Sequence, residues 1–381
     1  MKIPLLTLLI LATSPLLLPV HGQTNPAATS PAAAPARKAR PQLTAEEYQK
    51  FAAELRVLYA RPAADWPKPH VDPGVAFVEL GPLGPTPSPA DNPTTPAKVA
   101  LGKTLFFDPR ISGSGQIACA SCHDPDLAWG DGRTVSFGHS RTELKRNAPT
   151  LTNAGHQTSY FWDGRADSLE AQMLVAIAGP SMNTPLPELE KKVKAIPGYA
   201  PLFARAFPGT ADPIVPKNIA AAIGVYERTI VSGRAPFDDW LDGRKDAISP
   251  DAQKGFALFN GKANCAKCHN SWRFTDGSFH DIGLPGEDPG RGRLLPTSVK
   301  LQKAFKTPTL RDVALSAPYF HDGSVGTLIE VINHYDKGGV QRESLSDEMK
   351  ALGLSVAEKQ QLLAFLATLT SYEQVKEPVL P

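Results

Sequence analysis

Apolar positions in this 381-residue chain run together at the start and fall at helical spacing over most of the remainder. Lys2 precedes an apolar run from Leu5 to Val20 that is broken by Pro15 and Pro19 and closed by Gly22. That pattern predicts a cleaved export signal over residues 1–22 rather than a membrane span. Residues 23–42 are rich in Pro and Ala without an apolar period, which predicts an extended leader. Thr44 and Glu47 then form a capping-box pattern ahead of Phe51, Leu55 and Leu58, so a short amphipathic helix is expected. Between Pro62 and Pro96 prolines recur every few residues, which excludes regular helix and predicts a surface strap.

Beyond the strap the helical pattern occurs twice. Thr95-Pro96 caps a helix carrying Gly102 and Phe106, and Ser249-Pro250 caps one carrying Gly255 and Phe259. In each, Gly and Phe four residues apart share a face. Pro149-Thr150-Leu151 is followed by Tyr160-Phe161-Trp162-Asp163-Gly164 and Leu169. The same spacing returns 159 residues later in Pro308-Thr309-Leu310, Tyr319-Phe320-His321-Asp322-Gly323 and Leu328. Ile219, Ile223, Tyr226 and Ile230 make one helical stripe, and Ser355 with Glu358 caps a last helix bearing Leu362, Phe365, Leu366 and Leu369. No alternating run is long enough for a sheet. The chain therefore predicts an all-α fold of two related halves with long loops.

Composition adds little until the cysteines are counted. Forty basic and 38 acidic residues leave a formal charge of +2, which gives no sign of a nucleic-acid partner, and no second apolar segment approaches membrane-spanning length. All four cysteines lie in two Cys-x-x-Cys-His motifs, Cys119-Ala120-Ser121-Cys122-His123 and Cys265-Ala266-Lys267-Cys268-His269. This is the attachment signature of c-type haem, with two thioethers and an iron-ligating histidine. The two pairs lie 146 residues apart, against about 15–20 in a zinc ribbon. Redox disulfides would not need a histidine after each pair. Two covalent haems are expected, one in residues 43–245 and the other in 246–381, each in a cytochrome c-like domain.

Together with Arg146-Asn147-Ala148-Pro149-Thr150, Phe161-Trp162-Asp163-Gly164-Arg165 and Pro318-Tyr319-Phe320-His321-Asp322-Gly323, these motifs resemble the bacterial dihaem cytochrome c peroxidase/MauG superfamily over residues 95–370. The resemblance implies a periplasmic oxidoreductase that reacts with hydrogen peroxide at the N-terminal haem. His123 would be the proximal ligand there, and His269 that of the C-terminal electron-transfer haem. Trp162 would relay electrons between them, although the residue alone reads first as a packing tryptophan.

Where the family's peroxidases carry a Met ligand to the second haem, this chain has Tyr335, as the MauG-like branch does. A thioether raises a haem potential, whereas a phenolate favours the ferric state. An amphipathic Tyr at a helix end, with His334 or water as ligand, is the other reading. The repeat makes Ala176 the first-half counterpart of Tyr335, and alanine leaves an open side for peroxide. His139 matches the removable distal histidine of the peroxidases, as a gate or as an ordinary loop residue. Peroxide cleavage needs a group that moves a proton between its oxygens. Gln172 and Pro180 match the family pocket, but Leu186 stands where its Glu would fall, so Glu188 is the nearby candidate, in a place where a helix-start Glu is also expected. Asn147, Ser316 and Pro318 match the ligands of an inter-domain Ca²⁺, an oxygen-only set. His156 and His280 read as surface or propionate-contacting residues.

Three functions compete. A MauG-type enzyme would oxidise residues of a partner protein, which Tyr335 favours. A cytochrome c peroxidase would take electrons from a small cytochrome c or cupredoxin and make water, which His139 favours. A non-catalytic dihaem carrier would want both irons six-coordinate, against Ala176.

Overall fold

The computed structural model describes residues 44–66, 68, 78–371 and 378–381, so the export signal and leader expected over residues 1–42 lie outside the described residues. Ten helices appear among them. They are α1 (Ala45–Leu58), α2 (Pro96–Phe107), α3 (Leu169–Ala178), α4 (Leu186–Lys194), α5 (Tyr199–Ala206), α6 (Pro216–Glu227), α7 (Pro236–Leu241), α8 (Pro250–Asn260), α9 (Leu328–Lys337) and α10 (Val356–Ala367). The sole regular sheet among the described residues pairs β1 (Phe279–His280) with β2 (Phe305–Lys306), antiparallel.

The expected caps form. Thr44 and Ser355 each complete a capping box, and the Thr95 and Ser249 side chains accept from the third amide of α2 and α8. The α6 stripe is shorter than its sequence pattern. The helix ends at Glu227, and Ile230 reaches the same core from the following turn, 5% exposed.

Two main clusters of buried apolar side chains organise the helices. Leu101, Leu105 and Phe106 of α2 meet Ile177 of α3, Leu189 of α4, Phe203 of α5 and Ile219 and Ile223 of α6. Phe256 and Phe259 of α8 meet Phe237 and Trp240 of α7, Ile332 of α9 and Leu362 and Phe365 of α10. Leu55 and Tyr59, from α1 and its C-cap, join this second cluster although they begin the described chain. Large apolar side chains there bury what a short helix could not bury alone.

The same crossing holds both clusters. A Cβ on Gly102 would strike the Ala222 carbonyl of α6 and lie 2.9 Å from the Tyr226 Cβ. On Gly255 it would strike the Gln361 carbonyl of α10 and lie 2.8 Å from the Phe365 Cβ. Glycine is what lets each pair of helix backbones approach so closely. Each of α2 and α8 precedes one of the two cysteine motifs, α2 by way of a 3-10 turn at Pro109–Ile111.

Candidate functional site

Each Cys-x-x-Cys-His motif begins as a single 3-10 turn, Cys119–Ser121 in one half and Cys265–Lys267 in the other. The turn closes by donation from the His123 amide to the Cys119 carbonyl at 3.0 Å, and from the His269 amide to the Cys265 carbonyl at 2.9 Å. The imidazoles are oriented alike. His123 Nδ1 lies 2.9 Å from the Trp129 carbonyl oxygen, and His269 Nδ1 lies 3.0 Å from that of Phe274. A proton held on Nδ1 fixes the tautomer and leaves Nε2 as the ligating nitrogen. Burial pushes both imidazoles below their ordinary pKa, which keeps them neutral. All four cysteines are free thiols, so the donor set fits two thioether-linked haems.

Helices α3 and α9 carry the residues Ala176 and Tyr335. Both have ten residues, both are capped by a hydroxyl side chain, Ser168 or Thr327, and α9 repeats α3 at the 159-residue offset. Tyr335 is half-buried in the last turn of α9. Burial, with the Cys268 and Cys265 thiols nearby, pushes its phenol well above the ordinary range. Its hydroxyl has no hydrogen-bond partner among the described residues. His334 does have one, because its Nε2 lies 2.8 Å from the Ile282 carbonyl. Gly338, at φ 79°, caps α9 and donates to the Tyr335 carbonyl at 3.0 Å, and a Cβ there would press the Ala351 amide at 2.8 Å. On α3 the matching residue is Ala176, with Gln172 one turn earlier on the same face.

Reciprocal hydrogen bonds join the segments between these elements. The Asn147 amide donates to the His321 carbonyl at 2.8 Å, and the Lys306 amide donates to the Trp162 carbonyl at 2.8 Å. Asn147 and Lys306 lie 159 positions apart, and so do Trp162 and His321. Trp162 Nε1 donates to the Asn147 carbonyl at 2.9 Å. Beside it Asp163, fully buried, accepts from Arg146 at 2.8 Å and Arg165 at 2.9 Å, and Arg146 also forks onto Asp288. Burial opposes the Asp163 charge, yet the Arg146 and Arg165 guanidiniums hold its carboxyl below the usual range.

The structure brings His139 to Pro180. The His139 amide donates to the Pro180 carbonyl at 3.0 Å, and Gly138 lies so close to that carbonyl that a Cβ would meet it at 2.6 Å. His139 Nδ1 is buried without a partner. Glu188 is placed apart. It is exposed in the first turn of α4, and among the described residues no hydrogen bond or ion pair reaches its carboxylate. Asn147 is buried and its amide nitrogen donates to the Arg133 carbonyl at 2.8 Å, which leaves Oδ1 as the free side-chain oxygen.

Residues 96–246, which carry the first of these motifs and α3, match the family described as di-haem cytochrome c peroxidase. The methylamine utilization protein MauG of Methylorubrum extorquens is 53% identical over 286 residues, covering 74% of this chain and 81% of that protein. The chain belongs to the di-haem cytochrome c peroxidase/MauG family. The cytochrome c551 peroxidase of Nitrosomonas europaea is 37% identical, covering 74% of this chain and 82% of its own. A solved MauG-like protein associated with microbial copper homeostasis superposes with a TM-score of 0.71 at 32% identity, covering 76% of this chain and 93% of that one. Like its relatives, this family member is a peroxide-dependent di-haem oxidoreductase, and the reading as a carrier without catalysis falls away. No helix among the described residues is long and apolar enough to cross a membrane.

Several groups around the family's haem motifs escape sequence reasoning. His156 is not at the surface. It is 8% exposed, with its ring edge-on to Trp272 at 4.7 Å, because Trp272 covers it from the other half. His280 pairs with Asp276 at 2.8 Å; burial alone would lower its pKa, but the Asp276 carboxylate and the Cys268 sulfur raise it to about 10. Glu227, 2% exposed, keeps Oε2 unpartnered, and burial pushes its carboxyl up to about 8. A glutamate ending an apolar helix carries no spacing signal that would have flagged it.

Proposed function

We propose that the first half activates hydrogen peroxide and that the second half passes the oxidising equivalents on to a protein partner. In this reading Cys119 and Cys122 anchor one haem with His123 on its iron. Cys265 and Cys268 anchor the other, with His269 and Tyr335 as its two ligands. The haems supply the iron redox chemistry, and the chain's own residues position the peroxide and move its proton.

The pairing of α3 with α9 supports this most directly, since Ala176 stands where Tyr335 stands in the second half. A methyl group leaves room for peroxide beside the first site. A phenol fills the second and, as phenolate, favours the oxidised metal. His334 is committed to the Ile282 carbonyl, which argues against it as the ligand. Gln172, on the Ala176 face, orients the bound peroxide, and Pro180 holds the His139 backbone beside it. The unpartnered Nδ1 of His139 can take the proton from one peroxide oxygen and return it to the other. Glu188 contributes only by way of water, given its exposed position. Trp162 serves as the relay, fixed by its bond to Asn147 and by the Lys306 amide.

The reciprocal bonds at the 159-residue offset support two duplicated haem halves over residues 43–245 and 246–381, although α1, Trp66 and α7 of the first range pack in the second core. The free Oδ1 of Asn147, with carbonyls from Ser316 and Pro318, suits a Ca²⁺ between them. Export through residues 1–22 to the periplasm completes the reading, because c-type attachment is finished outside the cytoplasm.

The orphaned His139 Nδ1 favours a second reading, a peroxidase gated by this residue and fed by a small cytochrome c or cupredoxin. Two measurements address these readings. Ala176→Tyr places a phenol over the first site, and stopped-flow mixing with H₂O₂ should then show the peroxide reaction abolished; an unchanged reaction sinks the assignment of that site. Rapid turnover of the parent protein with a reduced cytochrome c would select the second reading over the first.

A further inference from the structure

Three oxidisable rings lie together in the second core, and neither haem site uses them. Trp66 and Trp240 have ring centroids 4.2 Å apart, and Tyr59 lies 5.1 Å from Trp66 and 5.4 Å from Trp240. Trp240 is 2% exposed and Tyr59 6%, whereas Trp66 is only half-buried. The cluster is continuous with the second haem motif. Trp240 lies 6.1 Å from Phe237, Phe237 lies 5.4 Å from Phe274, and the Phe274 carbonyl is the one that orients His269.

We propose that Trp240 and Trp66 form an exit by which oxidising equivalents leave the second haem half, so that Trp66 oxidises phenolic donors at the protein surface. This rests on the reading that equivalents reach that half. Indole is the aromatic side chain that loses an electron most readily without first losing a proton, and the two rings, tilted at 34° but only 4.2 Å apart, are close enough for rapid electron exchange. Tyr59 is unsuited to the role, because its hydroxyl has no partner among the described residues to take the phenol proton. Trp66 differs. Its Nε1 donates to the Arg61 carbonyl at 3.0 Å in an exposed setting, from which the proton of the oxidised indole passes to water.

The electrons balance. Each H₂O₂ that becomes two waters takes two electrons and two protons from two phenol molecules, one at a time through Trp66. Each phenol leaves as a phenoxyl radical, and Trp66 returns to its resting state. Without a donor, the Trp66 radical reacts with oxygen species and is oxygenated in place.

Plain packing of α1 and the strap against α7 and α8 would account for the same contacts, and the test separates the two. The holoprotein and its Trp66→Phe, Trp66→Tyr and Trp240→Phe variants, with folding checked by circular dichroism, are treated with H₂O₂ in the presence or absence of 2,6-dimethoxyphenol. Phenol oxidation is followed optically, and oxygenated tryptophan is mapped by peptide mass spectrometry. The expected result is Trp66 oxygenation in the parent protein, suppressed by the phenol and lost in Trp240→Phe. Phenol oxidation should be lost in Trp66→Phe and retained in Trp66→Tyr, which a packing role would not distinguish. Trp66 oxygenation that persists in Trp240→Phe, or undiminished phenol oxidation in Trp66→Phe, overturns the proposal. A parent protein whose haem spectrum does not respond to H₂O₂ fails the underlying reading instead; a normal response with Trp66 untouched fails this one.

Discussion

Replacing Gly255 by Ala tests how the second haem motif is held. In an isolated helix the change would stabilise by about 1 kcal/mol, because Gly is the poorer helix former. Here the added Cβ meets the Gln361 carbonyl of α10 and lies 2.8 Å from the Phe365 Cβ. Neither obstacle yields easily, since one is helix backbone and the other belongs to a fully buried ring. Overpacking of this kind costs about 1–3 kcal/mol, and relief requires α8 and α10 to separate. With three atoms of α10 closer than van der Waals contact the collision belongs at the upper end of that range, so it should outweigh the propensity gain and leave the variant about 2 kcal/mol less stable. Separation would also tilt the helix that leads to Cys265, so the visible spectrum of the second haem should broaden. Guanidinium unfolding of the holoprotein, followed by far-UV circular dichroism, measures the first effect. A variant as stable as the parent, or more stable, would refute the close-approach argument, and with it the same argument for Gly102.

Asp163→Asn leaves Arg146 and Arg165 facing a neutral amide at a fully buried position, and should cost about 3 kcal/mol in the same unfolding assay. Glu227 should give the protein an inverse pH dependence. A carboxyl whose native pKa is raised stabilises the fold while protonated, so its contribution is present below the unfolded value of 4.5 and is lost as pH rises toward about 8. Glu227→Gln should flatten thermal stability between these limits, and a variant with the parent's pH slope would contradict the assignment.

Local signals made much of this molecule readable. The Thr44, Thr95, Ser249 and Ser355 caps announce their helices because a cap and its helix are neighbours in sequence. The cysteine motifs place their own histidines, and the repeat pairs Ala176 with Tyr335 by spacing alone. Contacts between distant segments were not readable. Arg146 reaches Asp288 across 142 residues, and no spacing rule links them. Tyr59 and Trp66 pack on α7 and α8 of the second core, although the chain order suggested the first half. His156 looked like a surface residue because Trp272, which covers it, lies more than a hundred positions away. Helices α4, α5 and α7 are short and carry prolines in their first turns, so tertiary packing rather than propensity sustains them.

The inequality of the two haem sites is best tested by optical and electron paramagnetic resonance spectra of the oxidised holoprotein and its Tyr335→Met variant, with the second haem's potential measured in both. The parent should show one low-spin haem that changes its signature in the variant, with a raised potential as thioether replaces phenolate, and a separate haem that is high-spin as isolated or after reduction. A low-spin signal and a potential that ignore the substitution would show that Tyr335 does not ligate the second haem, and the proposed division of labour between the halves would fall with it.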